Sequence, residues 1–370
     1  MSSNPSEFIP PAAPRIGDAE IEAAVAVLRT GRVVQGPEVA AFESEFSETS
    51  GTEHCVAVNS GTSALQLSLM ALGFGPGDEI IVPSFSFAAT ANVVRLVGAE
   101  PVFADIDPRT FNIDPESAAS LISPKTAAII PVHLYGHPAD MTALTALADK
   151  HGLAVVEDAC QAHASSIDGT PVGSFGSVGT FSFYPTKNMH ALEGGIVSTD
   201  DAQLARTLRL LRNQGMEQRY ANEVVGANMR MTDVSAAIGR VQLASLKEWT
   251  LQRQANAEFL NENISSVVTP HVAPGVSHVY HQYTVRVEGD RERFQEVLKD
   301  EGVGSAVYYP TPIHRLKPFW DVDQERGRTW DLPETEKAAG EVLSLPVHPS
   351  LSRSDLERIA QAVEKAGSRQ

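Results

Sequence analysis

An acidic and a basic residue, Asp158 and Lys187, are the part of this sequence that most directly indicates a chemistry. Asp158 closely follows the apolar run Leu153–Val156, and Lys187 lies further on in the segment FSFYPTKNMHALEGG. A pyridoxal phosphate enzyme needs a lysine that forms a Schiff base with the cofactor and a carboxylate that keeps a proton on the pyridine nitrogen. A buried strand, an Asp at its end and a lysine in a tight loop therefore predict that chemistry.

Each of these residues also has an ordinary interpretation. Taken alone, Lys187 would be a surface lysine, and Asp158 would be solvated or would cap a helix. Ser182 favours the cofactor, because one small hydroxyl between two phenylalanines on a hydrophobic strand fits a phosphate ligand. The segment 59–63, NSGTS, joins a predicted strand to a helix, where N–H groups and hydroxyls can surround an anion. For that segment a plain N-cap is an equally good interpretation.

The remaining histidines and cysteines give weaker signals. His133 and His137 have a spacing compatible with two metal ligands, but no cysteine or third histidine completes a site, so we predict a structural role and no metal. His163, after the Asp motif, either lines the pocket or packs in the core. Cys55 and Cys160 are in no CxxC spacing and are expected to be reduced thiols.

The elements that must position these residues can be read from the hydrophobic pattern. Predicted strands cover 55–58, 80–83, 101–104, 127–132, 153–156 and 196–199. Predicted helices cover 19–30, 87–97, 115–122, 141–151 and 202–212, with a further helix from the NSGTS segment to about residue 72. This alternation predicts βαβ units and a mostly parallel sheet covered on both faces.

A long helical stretch, 232–263, leads into a second region. There 278–287 alternates like a strand, and 291–301 and 354–366 have helical spacing, which predicts a small α+β domain. We place the division between 1–249, the large α/β domain with an N-terminal arm, and 250–370.

The composition and charge of the chain argue against several classes of protein. The chain has 370 residues and a net charge of −17, which argues against nonspecific binding to nucleic acid or to an anionic membrane. The start, MSSNPSEFIPPAAPRIG, lacks the basic and apolar regions of a signal peptide. No apolar run approaches the roughly 20 residues of a membrane span. We therefore expect a cytoplasmic protein without nucleic-acid or membrane partners.

Several segments, taken in order and spacing, resemble the DegT/DnrJ/StrS family of sugar aminotransferases. The segments are NSGTSAL, PSFSFAATAN, GAEPVFADID, EDACQAH, FSFYPTKN with EGG, GANMR, and YYPTPIH with SLPVHP. The resemblance runs from about Pro14 to the C-terminal region. It implies fold type I: an aspartate aminotransferase-like large α/β domain, with a mostly parallel mixed sheet between helices, and a small C-terminal α+β domain.

The resemblance also implies roles for individual residues. Lys187 would be the Schiff-base lysine and acid/base, and Asp158 would pair with the pyridinium nitrogen. Phe87 would stack on the cofactor ring, and Gln161 would lie near its phenolic oxygen. Residues implied at the cofactor phosphate are Gly61, Thr62, Ser63, Ser182 and Asn228 of the partner subunit. Residues implied to contact the substrate are His163, Tyr309 and His314.

The implied reaction moves an amino group, with L-glutamate as donor, to a keto sugar attached to a nucleoside diphosphate, for amino-sugar biosynthesis. The cofactor would alternate between pyridoxal (PLP) and pyridoxamine phosphate (PMP) in a homodimer with shared active sites. Three alternatives stay open: a keto-cyclitol acceptor, a PMP-dependent sugar dehydratase and a non-catalytic PLP-binding regulator. Lys187 argues against the dehydratase, whose relatives carry His there. Tyr308, Gln214 and Ser235 depart from the family pattern and leave the substrate open.

Overall fold

The computed structural model describes residues 8–369. Residues 1–7, which begin the segment predicted not to be a signal peptide, and Gln370 lie outside the described residues. The strands are β1 (His54–Val58), β2 (Glu79–Pro83), β3 (Glu100–Ala104), β4 (Thr126–Ile129), β5 (Ala154–Asp158), β6 (Ser166–Ile167), β7 (Thr170–Pro171), β8 (Val178–Ser182), β9 (Gly195–Thr199), β10 (Met216–Gln218), β11 (Ala221–Asn222), β12 (Val276–Ser277), β13 (Tyr283–Arg286) and β14 (Val342–Leu345).

The helices of the same range include one that carries the chain from the first part into the second. They are α1 (Asp18–Thr30), α2 (Pro37–Ser50), α3 (Gly61–Ala71), α4 (Ala89–Leu96), α5 (Pro115–Ser120), α6 (Met141–His151), α7 (Ala202–Arg212), α8 (Asp233–Asn263), α9 (Arg291–Asp300), α10 (Lys317–Glu325), α11 (Pro333–Glu341) and α12 (Arg353–Gly367). Within the described chain, no helix is both long and apolar enough to cross a membrane.

A seven-stranded sheet forms the centre of the large α/β part. Its strand order is β1-β9-β8-β5-β4-β2-β3, and β9 alone runs antiparallel to its neighbours in this sheet. Neighbouring residues of one strand face different cores: Ile80 and Val82 pack in one hydrophobic cluster and Ile81 in another. The predicted α/β class, with a mostly parallel mixed sheet between helices, is confirmed.

The C-terminal part has its own core. There β13 pairs antiparallel with β14, and buried residues of α8, α9 and α12 pack around this pair. The strand is shorter than the predicted 278–287, because Tyr280 has a φ of 44°, a left-handed conformation that a strand does not accept. The segment before β13 is therefore a loop.

One unbroken helix, α8, crosses the predicted division at 249/250. Its first part contacts α1 and α2, and Ala257, Phe259 and Leu260 in its last part belong to the C-terminal core. Because this single helix contributes residues to the cores of both parts, the division into 1–249 and 250–370 stays a prediction.

Candidate active site

Most of the sequence-predicted residues converge on a cleft of about 320 Å³ at the carboxyl edge of the central sheet. Ser60 follows β1, Ser86 follows β2, Val132 follows β4, and Asp158 ends β5. Since the parallel strands of such a sheet all end at this edge, the loops that follow them surround one space. Lys187, between β8 and β9, lines the same cleft.

Lys187 and Asp158 line the same cleft. The Lys187 N–H donates to the Tyr184 carbonyl at 2.9 Å, which closes a tight turn and presents the side chain to the cleft. Burial lowers the pKa of Lys187, and the neighbouring Cys160 and Asp158 partly oppose that shift. The lowered pKa increases the fraction of neutral amine, the form that attacks a carbonyl.

Asp158 is held by a polar network at the end of β5. It is 5% exposed, and its Oδ2 accepts the Thr90 hydroxyl at 2.8 Å. The Cys160 N–H donates to Oδ1 over a longer 3.3 Å. Thr90 in turn lies 3.1 Å from the Ser86 hydroxyl. The carboxylate is therefore fixed in direction and keeps acceptor capacity for a protonated ring nitrogen.

The start of α3 has the features of an anion cradle. Ser60 caps the helix by accepting the Ser63 N–H at 3.1 Å, which leaves the N–H groups of Gly61 and Thr62 without an acceptor in the first turn. Thr62 and Ser182, which both carry hydroxyl groups, line the cleft beside these N–H groups. Helix N-termini of this kind bind phosphate through free N–H groups and the helix dipole.

Two glycines allow the segments of the cradle to pack closely against each other. A Cβ at Gly61 would lie 2.6 Å from Ser182 Cβ, and a Cβ at Gly195 would lie 2.4 Å from the Ser60 carbonyl oxygen. Neither position accepts a side chain without movement of the cradle. An amine, a buried carboxylate and an anion cradle around one cleft are the chemical groups that pyridoxal phosphate requires, so the residues present fit this cofactor.

The opposite wall of the cleft carries aromatic residues. Phe87 is 59% exposed in this chain and lies 6.1 Å from Tyr309 between ring centroids. Gln161 Oε1 accepts the Tyr135 N–H at 2.9 Å, and its Nε2 donates to the Tyr309 hydroxyl at 3.1 Å. Burial raises the pKa of Tyr309, so its hydroxyl stays protonated. Phe87, Gln161 and Tyr309 all line the cleft.

Two residues predicted to contact the substrate lie elsewhere. His163 is fully buried, with its ring 5.6 Å from those of Phe181 and Phe183, and it does not line the cleft. His314 is also buried, with Nδ1 2.7 Å from Ser84 Oγ and Nε2 2.9 Å from the Glu336 carboxylate. Packing in one case and hydrogen bonding in the other keep these side chains off the cleft surface of this chain, so their contact with the substrate stays a prediction that the cleft lining does not support.

Ser63 and Asn228 also lie outside the cleft of this chain. Ser63 Oγ is 3.0 Å from Ser60 Oγ, so its hydroxyl belongs to the helix cap. Asn228 is exposed in a loop that bridges to Asn213. This position agrees with a contact made to another subunit, which stays a prediction. Among the residues that depart from the family pattern, Tyr308 lines the cleft, and Gln214 and Ser235 do not.

Sequence reasoning missed several cleft residues. Thr90 lies within a predicted helix, and Thr186, next to Lys187, lies within a segment that was already singled out. Glu193 belongs to the EGG motif and gave no signal of its own. His281 was assigned to a strand, and the loop that replaces the start of that strand places it in the cleft.

The comparisons with known proteins agree with this geometry. The family model described as the DegT/DnrJ/EryC1/StrS aminotransferase family matches residues 14–364. The chain belongs to this family. The predicted family and the predicted enzyme class, an aminotransferase, are thereby confirmed.

Named relatives of this family member extend over nearly its full length. The dTDP-3-amino-3,4,6-trideoxy-alpha-D-glucose transaminase of Streptomyces venezuelae is 43% identical over 94% of this chain and 92% of its own. The structure of S. venezuelae DesV in complex with a ketimine intermediate has a TM-score of 0.90, with 41% identity and 95% of both chains covered. The structure of NtdA from Bacillus subtilis with bound cofactor PMP has a TM-score of 0.89, with 31% identity over 95% of this chain and 83% of that one.

Proposed function

We propose that this protein is a pyridoxal phosphate-dependent aminotransferase that moves an amino group from L-glutamate to a keto sugar attached to a nucleoside diphosphate. The observation that carries the proposal is the convergence of the Lys187 amine, the Asp158 carboxylate and the N-terminus of α3 on one cleft. The NtdA structure with bound PMP supports the cofactor, and a relative named as a transaminase of a dTDP-linked amino sugar supports the substrate class.

The chain contributes binding, orientation and proton transfer. When bound, pyridoxal phosphate supplies a ring that accepts electrons from the carbon next to the transferred nitrogen. Asp158, oriented by Thr90, keeps the ring nitrogen protonated. Lys187 Nζ removes the proton from the donor Cα and later delivers a proton to the acceptor carbon, which its lowered pKa favours. Gly61, Thr62 and Ser182, which line the cleft, would hold the phosphate, and Phe87 would cover one face of the ring.

Replacing the lysine tests the proposed chemistry. We expect Lys187→Ala to lose the cofactor absorbance of a lysine-bound aldehyde and at least about a thousandfold in turnover, because both nucleophile and proton carrier are removed. Lys150→Ala, a change on an exposed residue of α6, is the matched control and should retain both. Retained turnover in Lys187→Ala would refute the assignment.

The acceptor is tested separately from the chemistry. After glutamate has converted the cofactor to its amine form, keto sugars carried on dTDP, UDP and GDP are compared with keto-inositols for their ability to restore the aldehyde absorbance. Restoration by the nucleotide sugars supports the proposal. Restoration by the keto-inositols alone would favour the keto-cyclitol alternative and contradict the proposed acceptor.

The assembly and the compartment complete the proposal. We propose a homodimer in which Asn228 of the partner subunit reaches the phosphate cradle; the exposed position of this loop supports such a contact. We also propose a cytoplasmic location. Cys55 and Cys160 are both free thiols, which agrees with a reducing compartment.

A further inference from the structure

His281 is a cleft residue to which the proposed mechanism gives no task. It lies in the loop before β13, is 7% exposed and lines the cleft together with Lys187. One of its ring nitrogens, Nδ1, lies 3.3 Å from Asn188 Oδ1. Among residues 8–369, no hydrogen bond is formed by the other nitrogen, Nε2. Nε2 is therefore the ring nitrogen that is left for a ligand in the cleft.

Asn188 determines which nitrogen of His281 carries the proton. The Asn188 Nδ2 group donates to the Val279 carbonyl at 3.0 Å, so the amide is oriented with Oδ1 toward the imidazole. An amide oxygen accepts hydrogen bonds and does not donate them, and Nδ1 must therefore carry the proton. In the neutral ring, Nε2 is then an acceptor. Because Asn188 directly follows Lys187, this bond also fixes the imidazole relative to the lysine.

The surrounding charges keep His281 in its neutral form. Three groups from three parts of the chain act on it: Lys187 in its loop, Arg253 on α8 and His163 after β5. Burial, followed by the Lys187 and Arg253 charges, lowers the pKa of His281 well below its ordinary value. The Arg253 charge also disfavours a positively charged ligand at Nε2. A neutral donor such as a hydroxyl fits this position better than an ammonium group.

We propose that His281 is a substrate-binding residue that accepts a hydrogen bond from a hydroxyl of the keto-sugar acceptor through Nε2, and that Asn188 positions it. The proposal rests on the proposed function, because the hydroxyl belongs to the sugar that receives the amine. It assigns His281 to the second half of the reaction. The first half, in which glutamate delivers its nitrogen, does not need this contact.

Separate half-reactions test this division. In His281→Leu we expect the KM for the best keto-sugar nucleotide of the acceptor panel to rise roughly tenfold, the effect of one lost hydrogen bond. The conversion of the cofactor by glutamate should keep its rate. His281→Gln, whose Oε1 can accept at the same place, should recover much of the loss. His278→Leu, a change at a histidine three positions away that does not line the cleft, is the matched control.

A binding measurement without the cofactor gives a second readout. Calorimetry on cofactor-free protein compares the same keto-sugar nucleotide with its monodeoxy analogues. One analogue should bind roughly tenfold more weakly to the wild type, and this difference should disappear in His281→Leu. A difference that persists in the variant, an unchanged KM, or a slowed glutamate half-reaction would overturn the proposal. A wild-type protein that shows no glutamate half-reaction would instead refute the proposed function.

Discussion

Burial decides which of the histidines near the active site can meet a ligand. Burial and the Lys187 charge lower the pKa of both His163 and His281. Only His281 lines the cleft, whereas His163 is buried against two phenylalanines. Burial, with the nearby lysine, lowers the pKa of His163 to about 3, so it stays neutral. A residue type in a motif indicates chemistry, and the packing around it selects the side chain that performs it.

The cradle for the phosphate depends on the absence of a single methyl group. We expect Gly61→Ala to weaken pyridoxal phosphate binding at least about tenfold, because the new Cβ would lie 2.6 Å from Ser182 Cβ and 3.0 Å from Cys160 Sγ. Spectroscopic titration of the cofactor-free protein measures this. Gly340→Ala is the matched control, since a Cβ there meets nothing within 4 Å on α11. Equal cofactor affinities in the two variants would contradict this role of Gly61.

At the scale of elements, two helices are capped by carboxylates that are distant in sequence. Asp233, the first residue of α8, accepts the N–H groups of Gly36 and Val39 at the start of α2. Asp105, just after β3, accepts those of Glu334 and Thr335 at the start of α11 through its two oxygens, at 3.0 and 2.8 Å. Each carboxylate replaces a cap that the local sequence does not supply, and each joins parts of the chain that are far apart.

The cap on α11 also supports one wall of the cleft. Ala338 and Ala339 of this helix belong to the hydrophobic cluster against which Tyr308 and Tyr309 pack. We expect Asp105→Ala to lower the free energy of unfolding by about 1–2 kcal/mol, because two helix N–H groups lose a charged acceptor. Urea unfolding measures the change.

The control for this cap is Asp331→Ala, a change at an exposed residue just before the helix. It removes a carboxylate without removing the cap, and its effect should stay within about 0.5 kcal/mol. If both variants were destabilised to the same extent, the cap by Asp105 would make no measurable contribution to the free energy of unfolding.

How far the sequence predicts such elements depends on what each one packs against. Most strands of the central sheet were predicted, because both of their faces are buried, which produces continuous apolar runs such as EIIVP in β2; no range was predicted for β8. Helix α2 was not predicted. Its apolar contacts come from few residues, Phe42 and Phe46, which pack on Phe181 and Phe183 of a distant strand. The remote caps are likewise unreadable from local sequence, because their partners are set by the fold.

At the scale of the molecule, the cleft is assembled from both parts of the chain. Lys187, Asp158 and the start of α3 come from the large α/β part, whereas His281 and Tyr309 come from segments beyond α8. The mostly parallel arrangement of the sheet could be inferred from the alternation of strands and helices, and with it the placing of Asp158 at the carboxyl edge. The position of the segments that carry His281 and Tyr309 could not be inferred, because it depends on the tertiary contacts of α8 and α11.

A second subunit would extend this assembly, and mixing two inactive variants tests it. Lys187→Ala lacks the amine, and Asn228→Asp would place a carboxylate beside the phosphate, where repulsion prevents binding. If Asn228 serves the partner's cleft, a dimer with one chain of each variant contains one site with an intact lysine and an intact asparagine. Random exchange of equal amounts should then restore about a quarter of the wild-type activity, because half of the dimers are mixed and each has one good site.

The control for subunit exchange is a pair of variants whose defects lie in the same cleft of one chain. A mixture of Lys187→Ala and Gly61→Ala would recover activity only if the glycine and the lysine of each cleft came from different subunits. Both residues line the cleft of a single chain, so we expect no site to improve beyond those already present in the Gly61→Ala protein. Recovery confined to the Asn228→Asp mixture would show that Asn228 acts across the interface. The absence of recovery in exchanged dimers would place Asn228 outside the partner's site and leave the cradle to the residues of one chain.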